Sequence, residues 1–505
     1  MSHKIVSIEN LKKILSKVKR KKTVLCHGVF DLLHIGHISH FQEARNYGDI
    51  IVASVTSDKY VNKGPDRPAF NEHQRLKALA SLEYIDYVVL NNSPTAIPAI
   101  NELRPNIYCK GKDYKNHKDD ITGEIKNEIN ALKKTGGKII YTKGLLFSSS
   151  NLINRFIQKR TKSQRSIIEK IKKNYSFPKI KKSIENFKKL KVLIIGETII
   201  DQYVFCNALG KSGKEPMLVL GDIKTEQYLG GAAAISRHIS PFCEKITLLS
   251  MIGEKSEFLK DIKKGLPRNV KFDYIKKKNS PTIVKKRFLD HISNNKVLGV
   301  YKINYDSLEK KEEILFRNKL NKLLSKYDVV IVSDYGHGFI SKISSKIICK
   351  KSKYLALNAQ INAANVGYHS MRNYKKVDCV IINDREIHQE MREKNIKTEI
   401  LRKKFSFEQK INNIIVTRGK EGALSYNKSK GKYNYCQAFA NTVVDKIGAG
   451  DAMLSLIALC LKSKLSSELS LLIASLAAAQ STEIIGNKES VSKIKILKTL
   501  EHLLK

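Results

Sequence analysis

Short runs of β-branched residues alternate with segments of helical period along most of this chain, and no other feature restricts its fold as strongly. Between residues 23 and 157 the runs TVLCHG, IIVASVT, YVVL and KIIYT have the composition of strands, and helical segments lie between them, for example near residues 36–47 and 71–82. A strand–helix–strand repeat predicts a parallel, doubly wound sheet. The first part of the chain is therefore expected to be an α/β domain.

A second α/β region begins at the strand KVLIIG and runs to residue 505. In residues 202–229 and 282–305 short strand-like pieces replace the helices, which predicts a small β-sheet that serves as a lid. The later strands DVVIVSD, VDCVIIND and NNIIVTRG end in polar residues or glycine. These ends lie at the carboxyl edge of the sheet, where open α/β folds bind ligands.

The segment between the two regions is basic and poor in strand formers, as expected of a helical linker. The sequence thus predicts a domain of residues 1–157, a linker of residues 158–190 and a domain of residues 191–505.

The chain is strongly basic, with 92 Lys and Arg against 48 Asp and Glu and a formal net charge of +44. Such a charge favours polyanions. The lysines are scattered through every segment, however, and neither an RNP-like nor a zinc-finger pattern occurs. Nucleic acid is therefore not an expected partner.

The eight cysteines are far apart and form no CxxC pair, which predicts neither a zinc site nor a disulfide framework. The N-terminal segment has no apolar run typical of a signal peptide, and the apolar run of residues 469–479 is too short to span a bilayer. We expect a cytoplasmic protein without membrane insertion.

The stretch HGVFDLLHIGH follows the first strand and opens a helix. A helix start turns free N–H groups toward phosphate, and Gly28 and Gly36 let a nucleotide approach the backbone. His34 and His37 lie three residues apart, so both can face one ligand and stabilise the charge of departing pyrophosphate.

This stretch resembles the HxGH signature of the cytidylyltransferase-like nucleotidyltransferases, over about the first 155 residues. The resemblance implies that His34 and His37 are catalytic and that the KGKDY and FSSS segments help to bind the nucleotide. The implied nucleotide-binding residues are Gly28, Phe30, Lys63, Lys110, Gly111, Asp113, Ser148, Ser149 and Ser150.

Three basic residues of the segment NKGPDRPAFNEHQR, namely Lys63, Arg67 and Arg75, are candidate clamps for acidic substrate groups, with a solvated basic face as the alternative. HxGH also occurs in class I aminoacyl-tRNA synthetases, but we find no KMSKS-like partner and no room for an anticodon-reading module.

The second candidate site is the stretch DKIGAGD before a strongly apolar helix. Its small residues turn successive N–H groups toward one point, forming an anion hole, and Asp451 is a candidate base for a hydroxyl proton as a γ-phosphoryl group arrives. A helix N-cap is the alternative role of Asp451.

This stretch resembles the DTxGAGD signature of the ribokinase-like carbohydrate kinases, and further segments follow in that family's order from residue 191 to residue 505. The resemblance implies that Asp451 is the base and that ATP and Mg²⁺ are used, and it leaves a monovalent cation open. The implied residues are Asp201, Gly230, Gly231 and Arg287 for the sugar, Asn383 and Glu386 for Mg²⁺ (indirectly) and phosphates, Thr417 and Gly419 for the nucleotide, and Gly448, Ala449 and Gly450 for the anion hole.

Several residues depart from the kinase pattern: Glu197 replaces Asp, Ala234 replaces Asn, His337 replaces Lys, and LNAQIN replaces a DPKG-type segment. These changes leave two interpretations open. The acceptor differs from the usual heptose phosphate, or the kinase half has lost its activity.

Both halves together resemble the bifunctional heptose-phosphate kinase/nucleotidyltransferases, with the domain order reversed. The resemblance implies a Rossmann-like transferase followed by a ribokinase-like kinase. It implies phosphorylation of a sugar or sugar phosphate by ATP, and transfer from CTP or ATP to a sugar phosphate with release of pyrophosphate, for a cell-surface glycan such as lipopolysaccharide or capsule. Alternatives are an inactive, sugar-binding kinase-like domain and a basic nucleic-acid-binding protein. A homo-oligomer remains open.

Overall fold

The computed structural model describes residues 2–18, 20–61, 67–112, 123–143, 160–361, 365, 369–394, 396–440 and 442–504. Contacts divide the chain into two compact units, one of residues 1–160 with 494–505 and one of residues 161–493. The helices of the predicted linker thus group with the second unit, and the last helix groups with the first. No helix in the described ranges combines the length and apolar character needed to cross a bilayer.

The first unit is built on a five-stranded parallel sheet with the order β3-β2-β1-β4-β5. Elements are numbered in chain order. Its strands are β1 (Thr23–Gly28), β2 (Ile50–Thr56), β3 (Tyr87–Asn91), β4 (Ile107–Gly111) and β5 (Lys138–Thr142). Its helices are α1 (Ile8–Lys17), α2 (Ile35–Arg45), α3 (Glu72–Ala80), α4 (Ile97–Leu103) and α5 (Glu124–Lys134).

Helices cover both faces of this sheet because successive strand residues point to opposite faces. Val24 and Cys26 of β1 pack with α2 and α3, whereas Leu25 packs with α1, α4 and α5. Strands buried on both faces carry continuous apolar runs, such as IIVASVT in β2, all of whose residues are buried. The predicted doubly wound domain is confirmed.

The second unit contains a nine-stranded sheet with the order β10-β9-β6-β13-β14-β15-β16-β17-β18 and a four-stranded sheet with the order β12-β11-β7-β8. The strands of this unit are β6 (Lys191–Gly196), β7 (Thr198–Lys211), β8 (Leu218–Gly231), β9 (Lys245–Gly253), β10 (Val270–Lys277), β11 (Ile283–Asp290), β12 (Lys296–Lys302), β13 (Val329–Asp334), β14 (Leu355–Ala359), β15 (Cys379–Asn383), β16 (Asn413–Thr417), β17 (Ala423–Asn427) and β18 (Lys432–Cys436).

The large sheet is parallel from β10 to β16, and β17 and β18 add an antiparallel edge. The helices are α6 (Lys162–Asn174), α7 (Phe177–Glu185), α8 (Ala232–Ile239), α9 (Leu259–Gly265), α10 (Lys310–Leu323), α11 (Lys342–Lys351), α12 (Asp384–Met391), α13 (Thr398–Glu408), α14 (Ala449–Lys462) and α15 (Ser467–Thr482). The last helix of the chain, α16, is Lys493–Leu504. Helices α10 to α13 share one apolar core with the sheet, and α14 packs against β13, β14 and β15.

The small sheet is mixed, because β7 pairs in parallel with β11 while its other pairs are antiparallel. It coincides with the two regions in which strand-like pieces were predicted. The structure therefore confirms an α/β protein whose second domain carries a small β-sheet lid.

Candidate functional site

The two central strands of the first unit define its candidate site. The strand order reverses between β1 and β4, and in open α/β sheets ligands bind in the crevice at such a switch point. Gly28 ends β1 and Gly111 ends β4, so two predicted nucleotide-binding glycines stand at this crevice. An added Cβ on Gly111 would meet no atom within 4 Å, so its backbone is open to an approaching group.

The two signature histidines open helix α2. His34 is the N-cap residue, and its Nδ1 accepts a hydrogen bond of 3.0 Å from the amide of Gly36. His37 lies in the first turn, and its ring stacks on that of His34 with centroids 4.0 Å apart. Because Nδ1 of His34 accepts, a neutral His34 carries its proton on Nε2 and can donate it to a phosphate oxygen. The structure thus brings both predicted catalytic histidines together.

Phe30 fixes this pair from the strand side. Its backbone is left-handed, with a φ of 49°, and its ring is buried. The ring packs edge-on against His37 at 5.4 Å between centroids and lies 5.3 Å from the ring of Phe41. Phe30, predicted to bind nucleotide, is therefore placed to support His37.

Lys110 ends in a buried ion pair beside the crevice. Its Nζ lies 3.4 Å from the Glu128 carboxylate, which also accepts from the Tyr108 hydroxyl at 2.9 Å and the Ala96 amide at 2.8 Å. Burial raises the pKa of Glu128, but Lys110 and the Ala96 amide lower it more, so the carboxylate stays ionised with a pKa below its usual value. Glu128, which sequence reasoning missed, thus orients Lys110.

His27, which precedes Gly28, is a second residue that the sequence reasoning did not single out. Its Nδ1 lies 3.0 Å from the Ser54 hydroxyl and its Nε2 lies 3.4 Å from the Thr56 hydroxyl. Burial and then the charge of Lys110 lower the pKa of His27 to about 3. A neutral His27 therefore ties β1 to β2 and is not an acid at neutral pH.

Arg75 is fully enclosed and is not available to a substrate. Its guanidinium donates to Asp58 Oδ1 at 2.6 Å and to the carbonyl oxygens of Val29, Thr56 and Phe70 at 2.6, 2.9 and 3.0 Å. The prediction of a substrate clamp is wrong for Arg75, and so is the alternative of a solvated basic face.

Arg67 also forms a buried ion pair within the first unit. Its Nε lies 2.7 Å from the buried carboxylate of Asp31, which in addition accepts from the amides of Ala69 and Phe70 at 2.7 and 3.1 Å. The pair holds the segment after β2 against the signature stretch. The other predicted residues of this site, Lys63, Asp113, Ser148, Ser149 and Ser150, lie outside the described residues.

The second candidate site lies at the start of α14. Gly448 is the N-cap residue with a φ of 87°, a conformation that side chains rarely adopt, and Ala449 and Gly450 follow as the first helical residues. An added Cβ on Gly448 would lie 2.3 Å from Asn487 Oδ1, so both space and backbone require glycine there. Since Gly448 is the N-cap residue and Asp451 lies in the first turn of the helix, the N-cap alternative for Asp451 is wrong.

The environment of Asp451 suits a base. Its Oδ1 accepts a hydrogen bond of 3.0 Å from the Tyr335 hydroxyl. Burial, reinforced by the charge of Asp201, raises the pKa of Asp451 to about 7, although the Tyr335 bond and the charge of Lys285 act in the opposite direction. A carboxylate with a pKa near the working pH transfers protons efficiently.

The lid sheet carries the predicted sugar-binding residues. Asp201 on β7 is buried, and its Oδ1 accepts from Arg287 on β11 at 2.5 Å. Gly230 on β8 leaves room for this carboxylate, because an added Cβ would lie 2.1 Å from Asp201 Oδ2. Gly231 follows as the N-cap residue of α8. The structure therefore brings all four predicted sugar-binding residues together.

Lys285 lies on β11, the strand that also carries Arg287, and its charge acts on Asp451. Its Nζ lies 5.3 Å from the ring centroid of Tyr335 and 5.8 Å from that of Tyr301. Burial lowers the pKa of Lys285 below its ordinary value, although the charges of Asp201 and Asp451 act in the opposite direction. The lid thus places two cations, Lys285 and Arg287, on the side of the sheet that faces the candidate base.

Two departures from the kinase pattern meet beneath the lid. Glu197 is fully buried, and its carboxylate accepts from the amides of Tyr335 and His337 at 3.0 and 3.1 Å. Burial and the charge of Asp334 raise the pKa of Glu197 to about 7. Burial, with the charge of Lys285, lowers the pKa of His337 to about 3. The neutral His337 removes the positive charge that Lys provides in the pattern.

Asn383 and Glu386 form a capping box at the start of α12. The Asn383 side chain accepts from the Arg385 amide at 2.9 Å, and Glu386 Oε2 accepts from the Asn383 amide at 2.8 Å. Burial raises the pKa of Glu386. Thr417 ends β16 at the same edge of the sheet, and Gly419 follows in a left-handed conformation. Among the described residues no group of three or more His, Cys, Asp or Glu side chains is placed to hold a metal ion.

Comparisons with known proteins match both units of the chain to known families. A family model described as pfkB family carbohydrate kinase matches residues 189–494, and one described as cytidylyltransferase-like matches residues 25–156. Phosphofructokinase-2 from Escherichia coli, solved in complex with potassium, aligns over 63% of this chain and 100% of its own, with a TM-score of 0.52 and 14% identity. At that identity the likeness concerns the fold alone.

Curated relatives carry the name bifunctional protein HldE. The protein of Campylobacter concisus is 37% identical over 138 residues, which are 27% of this chain and 29% of that protein. The protein of Syntrophotalea carbinolica is 43% identical over 110 residues, which are 21% of this chain and 22% of that protein. Each match thus spans less than a third of the relative. The kinase model covers more than half of the 505 residues, and the chain therefore belongs to the pfkB family of carbohydrate kinases, here joined to a cytidylyltransferase-like domain.

Proposed function

We propose that this chain is a bifunctional enzyme of nucleotide-sugar biosynthesis. Its second unit phosphorylates a sugar or sugar phosphate with MgATP. Its first unit transfers a nucleotidyl group from CTP or ATP to a sugar phosphate and releases pyrophosphate. The observation that carries the proposal is the placement of Asp451, with its pKa raised to about 7, at a glycine-rich helix start across from the Asp201–Arg287 pair of the lid.

In the kinase reaction Asp451 accepts the proton of the acceptor hydroxyl as its oxygen bonds to the γ-phosphorus of ATP. The bond between that phosphorus and the bridging oxygen breaks, and ADP leaves with the electron pair. Backbone N–H groups at the start of α14, around Ala449 and Gly450, hold the charge on the phosphoryl oxygens. Lys285 adds a positive charge on the lid side.

Magnesium enters this reaction as part of the MgATP substrate. Within the described part of the chain, no group of three or more His, Cys, Asp or Glu side chains could hold the metal, and the carboxylate of Glu386 is engaged in the capping box. We therefore assign to Asn383 and Glu386 the role of shaping the edge of the nucleotide site, and they take no part in bond making or proton transfer.

In the transferase reaction the sugar phosphate attacks the α-phosphorus of the nucleotide, and pyrophosphate leaves. His34, with its proton on Nε2, and His37, held by Phe30, donate hydrogen bonds where negative charge grows. The amides at the start of α2 add to this stabilisation.

The product fits a precursor of a cell-surface glycan, because activated sugars are the substrates from which such polymers are assembled. We place the enzyme in the cytoplasm. All eight cysteines are free thiols, which accords with a reducing compartment.

The test uses the full chain with two readouts. ADP formation is followed with MgATP and a panel of sugars and sugar phosphates, and pyrophosphate release is followed with CTP or ATP and a panel of sugar 1-phosphates. Asp451→Asn is expected to suppress the first signal only, and His37→Ala to suppress the second only. Pyrophosphate release without phosphorylation of any sugar would indicate that the second unit is only a sugar-binding module. The absence of both ADP formation and pyrophosphate release would refute the proposal.

A further inference from the structure

A single buried carboxylate, that of Asp445, joins the lid sheet to the loop before α14. It is 5% exposed and accepts four hydrogen bonds. The Tyr203 hydroxyl donates at 3.0 Å, the amides of Gly486 and Ile447 donate at 3.0 and 3.1 Å, and the Lys296 ammonium also donates. Burial raises the pKa of Asp445, but Lys296 and the amides lower it more, so the group is ionised.

Two of these donors are backbone amides. The Ile447 amide lies in the loop before α14, residues 445–448 (the phosphate loop), and the Gly486 amide lies after α15. Ile447 directly precedes Gly448, the N-cap of α14, and Asp451 lies in the first turn beyond it. A carboxylate that holds the Ile447 amide therefore determines how the next amides are directed. Those amides receive the phosphoryl group in the proposed kinase reaction, so their direction matters to the transition state.

The other two donors belong to the lid. Tyr203 lies on β7, and Lys296 lies on β12 at the edge of the same sheet. Asp201 stands two residues before Tyr203, so both side chains project from one face of β7. One face of the lid thus carries the pair of Asp201 with Arg287 and, beside it, the donors to Asp445.

We propose that Lys296 and Tyr203 are positioning residues that latch the lid onto the phosphate loop through Asp445. Closure of the lid then completes the four bonds of Asp445 and sets the anion hole in the same step. The Lys296 side chain is 38% exposed, so its ammonium is readily hydrated when the lid opens, and the latch is reversible. This inference rests on the proposed kinase function, and its test separates the two.

The first measurement does not need an acceptor. Hydrogen exchange of residues 443–450 is followed in the full chain with MgAMP-PNP as the probe, in the parent protein, Lys296→Met, Tyr203→Phe and Lys296→Arg. We expect faster exchange in Lys296→Met and Tyr203→Phe, and near-parental exchange in Lys296→Arg, which keeps the charge. Lys302→Met is the matched control, since Lys302 lies on the same strand and its ion pair, at 3.9 Å, is with Glu257.

The second measurement uses any acceptor on which the parent protein is active. Lys296→Met is expected to lower kcat by about tenfold or more with a small change in KM for ATP, because the loss falls on the transition state. Parental exchange and kcat in Lys296→Met would overturn the latch. If the parent protein phosphorylates no sugar, the kinase proposal fails, and the latch is then tested by hydrogen exchange alone. In that case, parental exchange in Lys296→Met would overturn the latch.

Discussion

The Tyr335 hydroxyl donates a hydrogen bond of 3.0 Å to the carboxylate of Asp451. Tyr335 follows the carboxyl end of β13, and Asp451 lies in the first turn of α14. The bond therefore joins the carboxyl end of a strand of the large sheet to the start of a helix. The bond stabilises the ionised carboxylate, whereas burial favours the protonated form and raises the pKa of Asp451 to about 7. The base is therefore partly ionised near neutral pH.

The kinase reaction should lose rate as the pH falls through about 7, because protonated Asp451 cannot accept the hydroxyl proton. Tyr335→Phe removes a bond that lowers this pKa, so the same limb should move to higher pH. The check is kcat/KM for ADP formation between about pH 5 and 9, with pyrophosphate release from the same samples as the control. A limb at the same pH in Tyr335→Phe would contradict this assignment.

Asp451→Asn should lower phosphoryl transfer by about 10² to 10⁴-fold, the range expected for loss of a positioned general base. Asparagine keeps the size of the side chain, so the helix should fold as before. Steady-state ADP formation measures the loss, and circular dichroism with pyrophosphate release serves as the control. Full activity in the variant would remove Asp451 from the mechanism.

Gly230→Ala should damage acceptor binding. The added Cβ would lie 2.1 Å from Asp201 Oδ2, so the carboxylate must move away from Arg287. We expect KM for the acceptor to rise by about tenfold or more, with a smaller change in KM for ATP, since a tenfold change corresponds to about 1.4 kcal/mol of lost binding.

Gly213→Ala is the matched control for that change. Gly213 lies between β7 and β8 of the same sheet, and an added Cβ there would meet no atom within 4 Å. It should therefore leave both KM values unchanged. Equal KM values for the two alanine variants would show that the Asp201–Arg287 pair does not contribute to acceptor binding.

His37→Ala should lower pyrophosphate release by about 10²-fold, by analogy with removing one oxyanion donor. His34→Ala should do the same and in addition destabilise α2 by about 1 kcal/mol, because it removes the acceptor of the Gly36 amide. His34→Asn restores a capping acceptor without an imidazole, so it should recover stability and not rate. Thermal unfolding and pyrophosphate release on the three variants distinguish these effects, and recovery of rate in His34→Asn would contradict them.

The fold was largely predictable because its signals are local. Alternating strands and helices, and polar residues at strand ends, follow from composition and spacing. They located the two helix starts that lie near His37 and Asp451. What a polar side chain bonds to depends on residues far away in the chain. The capping box of Asn383 and Glu386 follows from their spacing in the sequence. The carboxylate of Asp445, in contrast, accepts hydrogen bonds from three segments that are distant in the sequence, and no local pattern reveals these bonds.

Arg75 illustrates the same difference and provides a last test. Arg75→Met would leave the Val29, Thr56 and Phe70 carbonyl groups without their donor, and we expect a loss of about 2 to 4 kcal/mol in the free energy of unfolding. Lys12→Met, which breaks an exposed pair with Glu102, should leave the free energy of unfolding nearly unchanged. Denaturant unfolding measures both. If Arg75→Met were as stable as the parent protein and had a raised KM for the sugar phosphate, Arg75 would be a substrate clamp after all. Because its guanidinium is enclosed, we expect a loss of stability before any specific loss of substrate binding.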